Sequence, residues 1–274
     1  MQSCKLVESG FGRMLAAARR RGRVSQLELA LIAGVSQRHV SFLEIDRATP
    51  SREMVLRLAS ALSLSLADQN ILLNAAGFSP EYNDSVWDAP SLGALRRALQ
   101  YACDRHEPFP ALVVDCAWRP IELNASAEMI FGSLSPRTGF DPEKSLLRSL
   151  VEAQPVINVL DDWFGLVEHM ARRLRLERAL LPRGPLQVEI DRALAAAAEV
   201  ATGRRVNLDT KATPTFNFGL RSHGIHLKLI ATVASFAEPF DVGAANLRLE
   251  CFYPADERTE ASLFQIASMR AAAQ

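Results

Sequence analysis

The spacing of apolar residues changes near residue 90 and divides the chain into two parts. In the first part, apolar residues recur every three or four positions in short runs, which is typical of amphipathic helices. Ser25 with Glu28 forms an S-x-x-E capping box, and Ser36, Ser51 and Ser65 also stand where a hydroxyl can cap a helix. The pattern predicts five helices, at residues 10–21, 26–33, 37–44, 52–62 and 66–76.

The second part mixes helical and strand-like patterns. Helical spacing covers residues 92–106, 126–131 and much of 144–202. Two short apolar runs and three alternating segments predict five strands, at residues 111–115, 121–124, 215–221, 225–236 and 245–253. Such a pattern favours an antiparallel sheet with helices on one face, which leaves room for a cavity between the layers.

A segment rich in Pro, Asn, Asp and Ser separates the two parts and predicts a linker. We therefore predict a five-helix domain at residues 1–78, a linker at 79–90 and a sheet-containing domain at 91–274. The fold class is mainly α in the first domain and α+β, with helices flanking an antiparallel sheet, in the second.

Composition indicates a folded, cytoplasmic protein. The 274 residues are 49% hydrophobic, no window approaches 18 consecutive apolar residues, and no signal-peptide pattern opens the chain. The cysteines lie far apart without a CxxC pair, so reduced thiols are expected rather than a zinc site or disulfides. Cys116 and Cys251 would come close only if the first and last strands are neighbours.

Net charge is zero overall but differs between the two parts. Through Pro80 there are 10 basic and 6 acidic residues, and beyond it 21 basic and 25 acidic residues. This asymmetry suits a module that binds a polyanion, joined to a separate body, although chance unevenness is an alternative interpretation.

Residues 25–46 carry the strongest candidate chemistry. Ala30, Ala33 and Gly34 supply the small residues and the left-handed turn that two steeply crossing helices need. With Val40 and Leu43 in the core, the second helix would expose Gln37, Arg38, Ser41 and Phe42. Gln and Arg can hydrogen-bond bidentately to adenine and guanine edges, so DNA binding is predicted, and a plain helical bundle is the alternative.

The segment SQLELALIAGVSQRHVSFLEIDRATPS resembles the helix-turn-helix of phage-repressor and XRE-type transcriptional regulators. By that resemblance Gln26 would hold a phosphate, Gln37 and Arg38 would read bases, and Arg19 would pair with Glu44. Asp46 stands where the family usually has Gly, so the resemblance does not predict the geometry of the loop that follows. The predicted DNA-binding residues are Gln26, Ser36, Gln37, Arg38, His39, Ser41, Phe42 and Arg47.

The second part is similar to the ligand-binding domain of MmyB-like regulators, in the segments EPFPALVVDCAWRPIELNASAEMIFG and LIATVASFAEPFDVGAANLRLECFYPADERTEASL. The resemblance implies a PAS-like domain that holds an apolar, fatty-acid-like ligand. Aromatic and sulfur side chains that could line its cavity, or could simply fill the core, are Phe109, Trp118, Met129, Phe131, Trp163, Phe216, Phe218, Phe236 and Phe252. His169 and Arg172, one turn apart, could anchor a carboxylate head group, and a solvated basic face explains them equally well.

Signatures of catalysis are absent from the sequence, which has no phosphate-binding Gly-rich loop, G-x-S-x-G or H-E-x-x-H. We therefore predict no catalytic residue, metal or cofactor apart from the apolar ligand. The leading hypothesis is a homodimeric transcription regulator that binds an operator in double-stranded DNA and senses an apolar small molecule. The alternative is a constitutive DNA binder whose second domain serves only for dimerisation or partner docking.

Overall fold

The computed structural model describes residues 10–132, 143–152, 159–181, 184–201, 217–222, 224–236 and 239–273. Within this part of the chain, the residues up to Ser85 together with Pro239–Ala245 form one compact unit, here called the N-terminal unit. The remaining residues form a second, the C-terminal unit.

Five helices make up most of the N-terminal unit, as predicted: α1 (Phe11–Arg21), α2 (Gln26–Ala33), α3 (Gln37–Glu44), α4 (Arg52–Ala61) and α5 (Leu66–Ala75). The hydroxyls of Ser25, Ser36, Ser51 and Ser65 cap α2 to α5 by accepting a hydrogen bond from the third helical N–H. Each cap satisfies a backbone donor that the helix itself leaves free. The helices enclose a core that includes Leu15, Leu29, Val40, Leu43, Leu58 and Leu73.

The C-terminal unit is an antiparallel sheet with flanking helices, which confirms the predicted fold class. The sheet order is β2-β1-β5-β4-β3, so β5 lies at the centre. In chain order the elements after α5 are α6 (Gly93–Arg105), β1 (Ala111–Asp115), β2 (Pro120–Leu123), α7 (Ala125–Gly132), α8 (Leu146–Glu152), α9 (Trp163–Leu180), α10 (Pro185–Ala201), β3 (Asn217–Ser222), β4 (Ile225–Ala234), α11 (Val242–Ala245, part of the N-terminal unit), β5 (Leu247–Pro254) and α12 (Glu257–Ala273).

Helices cover both faces of the sheet, so the expectation of helices on one face is wrong. On one face Leu112 and Val114 belong to a large core cluster with residues of α7 to α10 and α12. On the other face Val113 packs with Leu99 of α6 and with Leu247. Because successive strand residues point to opposite faces, all five residues of β1 are buried. The face that packs against α7 to α10 is called the inner face below.

A short segment between β4 and β5 completes the N-terminal unit. The carboxylate of Asp241 accepts hydrogen bonds from the N–H and, at 2.6 Å, the hydroxyl of Ser85. The N–H of Val242 donates to the carbonyl of Asn83 at 2.7 Å, and α11 packs against α5. Asn83 and Ser85, in the first part of the predicted linker, are therefore bonded to residues more than 150 positions later.

The thiols of Cys116 and Cys251 lie at opposite ends of neighbouring strands. β1 does pair with β5, but Cys251 is opposite Ala111, whereas Cys116 follows Asp115, which is opposite Leu247. Burial raises the pKa of both the Cys103 and Cys116 thiols to about 12. These two side chains are therefore inert thiols that pack in the core.

Candidate nucleic-acid interface and ligand-binding interior

Helix α3 is buried on one side and open to solvent on the other. Val40 and Leu43 are fully buried in the N-terminal core, and Glu44 is 8% exposed beside them. Gln37 and Arg38 are exposed on the outer side. The packing of Val40 and Leu43 thus fixes the helix while leaving its first turn available to a partner.

The turn between α2 and α3 has the geometry that the sequence predicts. Gly34 adopts a φ of 66°, in the left-handed region that favours glycine, and ends α2. The N–H of Val35 donates to the carbonyl of Ala30 at 2.9 Å. Ser36 then begins α3, its hydroxyl accepting from the N–H of His39 at 3.1 Å. Ser36 is exposed, so this end of α3 is accessible.

A buried polar network joins three helices beneath the outer face of α3. The guanidinium of Arg19 donates two hydrogen bonds to the Glu44 carboxylate, at 2.6 and 2.9 Å, which confirms the ion pair that the resemblance implies. The side-chain amide of Gln26 donates to the same carboxylate at 2.7 Å. Burial alone would raise the pKa of Glu44, but the hydrogen bonds from Arg19 and Gln26 outweigh it and hold this pKa below its usual range.

The remaining predicted DNA-binding residues lie along α3 and just after it. The guanidinium of Arg38 sits 5.1 Å from the ring centroid of Phe42, one turn later, which is cation–π geometry. His39, Ser41 and Phe42 are half-buried, whereas Arg47 is exposed. The structure therefore brings the predicted residues to one helix, its N-cap and its C-terminal loop, with Gln26 adjoining through Glu44.

The backbone conformation of Asp46 determines the geometry of the loop after α3, which the sequence did not predict. It adopts a φ of 54°, so an aspartate occupies the left-handed position usually held by Gly. The N–H of Arg47 donates to the carbonyl of Phe42 at 2.8 Å, and that of Asp46 to Leu43 at 3.2 Å. These two bonds form a Schellman motif, which fixes the backbone at Arg47.

Several of the predicted ligand-binding residues form one aromatic group on the inner face of the sheet. Trp118, Phe131, Trp163 and Phe252 are buried in the large core cluster, and Phe109, Met129 and Phe218 pack against it. The ring of Phe252 lies 4.9 Å from that of Phe131 and 5.8 Å from that of Phe218, both edge-on. This arrangement gives β5 an apolar inner surface near its C-terminal end.

Three other predicted ligand-binding residues are placed differently. Phe236 packs with Leu99 and Val113 on the opposite face of the sheet, so it does not line the inner face. Arg172 is exposed on α9, with His169 as a neighbour at 3.4 Å. Burial, reinforced by the charges of Arg173 and Arg172, lowers the pKa of His169 to about 4, so it is neutral near pH 7. Phe216 lies outside the described residues.

Two polar residues that the sequence did not single out lie on the inner face. Glu250 on β5 is only 4% exposed, and a guanidinium nitrogen of Arg173 on α9 lies 3.9 Å from its carboxylate. The guanidinium of Arg173 also lies 4.4 Å from the ring centroid of Trp118. The alternation in LRLECFYP was the available signal, because Glu250 and Phe252 must share a face.

The described helices include none that is both long and apolar enough to cross a bilayer. Within the same residues, no group of three or more His, Cys, Asp and Glu side chains is placed to hold a metal ion.

Family models match both units. Residues 15–69 match a helix-turn-helix family, and residues 95–265 match the ligand-binding domain of MmyB-like transcription regulators. No curated protein matches the chain. The second match covers more than half of the sequence and contains the whole inner face from β1 to β5. The chain therefore belongs to the MmyB-like transcription regulators, which join an XRE-type helix-turn-helix that binds DNA to a ligand-binding domain.

Proposed function

We propose that this regulator binds its operator as a homodimer and that an apolar, fatty-acid-like molecule bound in the C-terminal unit changes its affinity for DNA. The observation that carries the DNA-binding part is the anchoring of α3 by Val40 and Leu43, with Gln37 and Arg38 left exposed. Gln37 and Arg38 have the chemistry to read base edges in the major groove.

Ser36, Arg47 and Gln26 would contact phosphates of the DNA backbone. Ser36 and the first N–H groups of α3 suit one phosphate, and Arg47, fixed by the Schellman motif, suits another. The Gln26 amide donates one hydrogen to Glu44 and keeps a second that a phosphate can accept. Phosphate contacts of this kind set the register of α3 on the duplex and leave base reading to Gln37 and Arg38.

Ligand control would act by population shift. The two N-terminal units of a dimer must contact two half-sites about 34 Å apart at the same time. A ligand that favours one spacing of these units would therefore change the affinity for the operator. The aromatic group around Phe252 supports an apolar ligand, because rings on the inner face present large apolar surfaces between sheet and helices.

The same aromatic group also favours a second function, that of a constitutive DNA binder. Phe131 and Phe218 both contact Phe252, so these rings already fill part of the interior with the protein's own side chains. In that case the C-terminal unit would only hold two copies together or dock a partner.

Native mass spectrometry of the full chain, followed by extraction of released molecules, separates the two functions. The sensor is expected as a dimer carrying an apolar molecule, and saturated fatty acids of 8 to 18 carbons should raise its melting temperature. A ligand-free dimer whose melting temperature no fatty acid moves would instead support the constitutive binder. A monomer at micromolar concentration that stays monomeric on operator DNA would contradict both.

A further inference from the structure

Glu250 is a buried carboxylate that the described part of the chain does not provide with a hydrogen-bond donor. Its side chain is 5% exposed, and the Arg173 guanidinium at 3.9 Å is an ion pair beyond hydrogen-bonding distance. A buried carboxylate without hydrogen bonds is costly, and such groups in native structures call for an explanation.

Arg173 is positioned by other contacts rather than by Glu250. Its guanidinium lies over the ring of Trp118. The backbone of Trp118 is held on both sides, because its N–H donates to the carbonyl of Asp115 and its carbonyl accepts from the N–H of Leu146. A guanidinium stacked on an aromatic ring keeps its edge N–H groups free to bind an oxyanion. Arg173 and Glu250 therefore face each other at 3.9 Å with no hydrogen bond between them, so the hydrogen-bonding capacity of both groups is available to a ligand.

The inner face of β5 changes from polar to apolar along the strand. Arg248, Glu250 and Phe252 follow one another at every second position, about 7 Å apart. Arg248 is already paired with Glu177 of α9 at 3.3 Å, whereas Phe252 contacts Phe131 and Phe218. An amphiphilic molecule lying along β5 would thus meet rings at one end and the Arg173–Glu250 pair at the other.

We propose that Arg173 and Glu250 bind the carboxylate of an acyl-chain ligand, Arg173 as the cation and Glu250, in its protonated form, as the hydrogen-bond donor. The chain of the ligand extends toward Phe252, Phe131 and Phe218. This inference rests on the proposed function, since it assumes that the interior takes an apolar ligand, and it adds the head group and its site.

Binding of a carboxylate at this site is coupled to protonation of Glu250. Burial, opposed by the charge of Arg173, raises the pKa of Glu250 to about 7, so near neutral pH the carboxyl is already partly protonated. An arriving carboxylate favours the protonated form further, because two adjacent carboxylates cannot both ionise readily. Binding therefore takes up as much as one proton from solvent at Glu250, and no covalent bond changes.

Other charged groups near Glu250 do not replace it as the proton acceptor. His169 and Glu177 lie one turn to either side of Arg173 on α9, and Arg248 neighbours Glu250 on β5. The His169 pKa is about 4, and Glu177 is paired with Arg248. The residues opposite Glu250 on β1 and β4 are Leu112 and Val233, which carry no charge.

The test is calorimetric titration of the full chain with decanoic acid and with decan-1-ol, from pH 6 to 8.5. For the acid, affinity is expected to fall by about tenfold per pH unit above pH 7, with proton uptake measured in buffers of different ionisation enthalpy. E250Q should bind the acid without that pH dependence, because its amide N–H replaces the protonated carboxyl. R173Q should lose at least tenfold in affinity for the acid but not for the alcohol.

The matched control is R175Q, which removes an exposed arginine two positions along α9 and should bind as the wild type does. Acid and alcohol binding equally well to the wild type and to R173Q would overturn the head-group site while leaving apolar sensing intact. Binding of neither compound to the wild type would remove the ligand from the proposed function itself. Thermal melts of each variant distinguish lost binding from lost folding.

Discussion

The carboxylate of Asp46 accepts a hydrogen bond of 2.9 Å from the backbone N–H of Gly12, joining the end of α3 to the start of α1. Helix α1 begins after Gly10, which has no side chain to cap it. Asp46 therefore does for α1, from 34 residues away, what a serine N-cap does for α2 to α5. An aspartate at a position that usually favours glycine is explained by this contact.

Substitution of Asp46 should separate backbone strain from capping. Asp46→Asn keeps a residue that tolerates the left-handed region and can still accept from Gly12, so it should unfold as the wild type does. Asp46→Ala loses the cap and keeps the positive φ, at a cost of about 1–2 kcal/mol. Asp46→Gly also loses the cap but relieves the backbone strain, so the two effects on stability should offset each other. Urea denaturation ranks the three, and equal stability of the Ala and Asn variants would contradict a capping role.

The Glu44 network should give the N-terminal unit a distinct response to acid. Because the folded pKa of Glu44 is lowered, its contribution is present above the ordinary carboxyl pKa and is lost as pH falls through the lowered value. Glu44→Gln, which leaves Arg19 without its charge partner, should cost about 3 kcal/mol at pH 7.

The difference between wild type and Glu44→Gln should shrink below about pH 4 as the carboxylate is protonated. Unfolding midpoints in urea at several pH values measure it. Glu53→Gln, which breaks an exposed pair with Arg57, serves as the control and should change stability by less than about 0.5 kcal/mol at either pH. A pH-independent deficit in Glu44→Gln would show that packing, not charge, is responsible.

Base reading and backbone contact should respond differently to substitution. Gln37→Ala and Arg38→Ala should each cost about 1–3 kcal/mol on the cognate operator and relax preference at the base pairs they contact. Arg47→Ala should weaken all sequences alike and reduce the salt dependence by about one counterion. Mobility-shift titrations against a randomised operator library report both effects.

Arg97→Ala, at an exposed position of α6 in the C-terminal unit, controls for the loss of one positive charge. If Arg97→Ala weakened DNA binding as much as Arg47→Ala does, Arg47 would act through the net charge of the protein and not through a contact with a phosphate. Unchanged preference in both Gln37→Ala and Arg38→Ala would remove these residues from base reading.

Glu250→Gln should stabilise the protein in a pH-dependent way. The raised pKa means that the folded state holds a proton that the unfolded chain releases, so stability falls with rising pH between about 4.5 and 7. The neutral amide avoids this loss, and the variant should be more stable than the wild type by about 3 kcal/mol at pH 8 and equal to it at pH 4. Denaturant midpoints at the two pH values check the sign. A variant that is less stable at both would mean that Arg173 needs the charge of Glu250.

Gly243 should be intolerant of any side chain. A Cβ atom there would lie 1.8 Å from the carbonyl oxygen of Ser85, so Gly243→Ala must displace the backbone of residues 239–245 or that of Ser85. The N-terminal unit should lose about 1–3 kcal/mol of stability. Gly184→Ala, where a Cβ would meet nothing within 4 Å, is the control and should be neutral. Differential scanning calorimetry resolves both, and a neutral Gly243→Ala would contradict the close approach.

The N-terminal helices were predictable because their signals are local. A serine before each of α2 to α5 and a glycine after α2 fix their ends within a few residues, whatever the tertiary contacts. The interaction of Gln26 with Glu44 spans 18 positions and leaves no such local signal, although the resemblance implied the Arg19 pair.

The C-terminal unit was harder to predict because the facing of a strand depends on what packs against it. The alternation around Phe236 and Phe252 is visible in the sequence, but which residues meet the helices is decided by the neighbouring strands. Phe236 was therefore grouped with candidate cavity residues although it packs on the opposite face, and Glu250 was not singled out. Helix α12 was not predicted, although Leu263 and Ile266, three positions apart, are buried in the large core cluster.

The assignment of Pro239–Ala245 to the N-terminal unit bears on how these regulators can be recombined. A DNA-binding module excised as one continuous stretch ending at Ser85 would lack Asp241, the acceptor for the Ser85 hydroxyl, and α11, which packs on α5. A chimera that exchanges operator specificity therefore has to carry two pieces of the donor chain, the second inserted between β4 and β5. A chimera made with the first piece alone would contain an incomplete DNA-binding unit. Poor folding of that chimera would therefore not show that the donor and recipient units are incompatible.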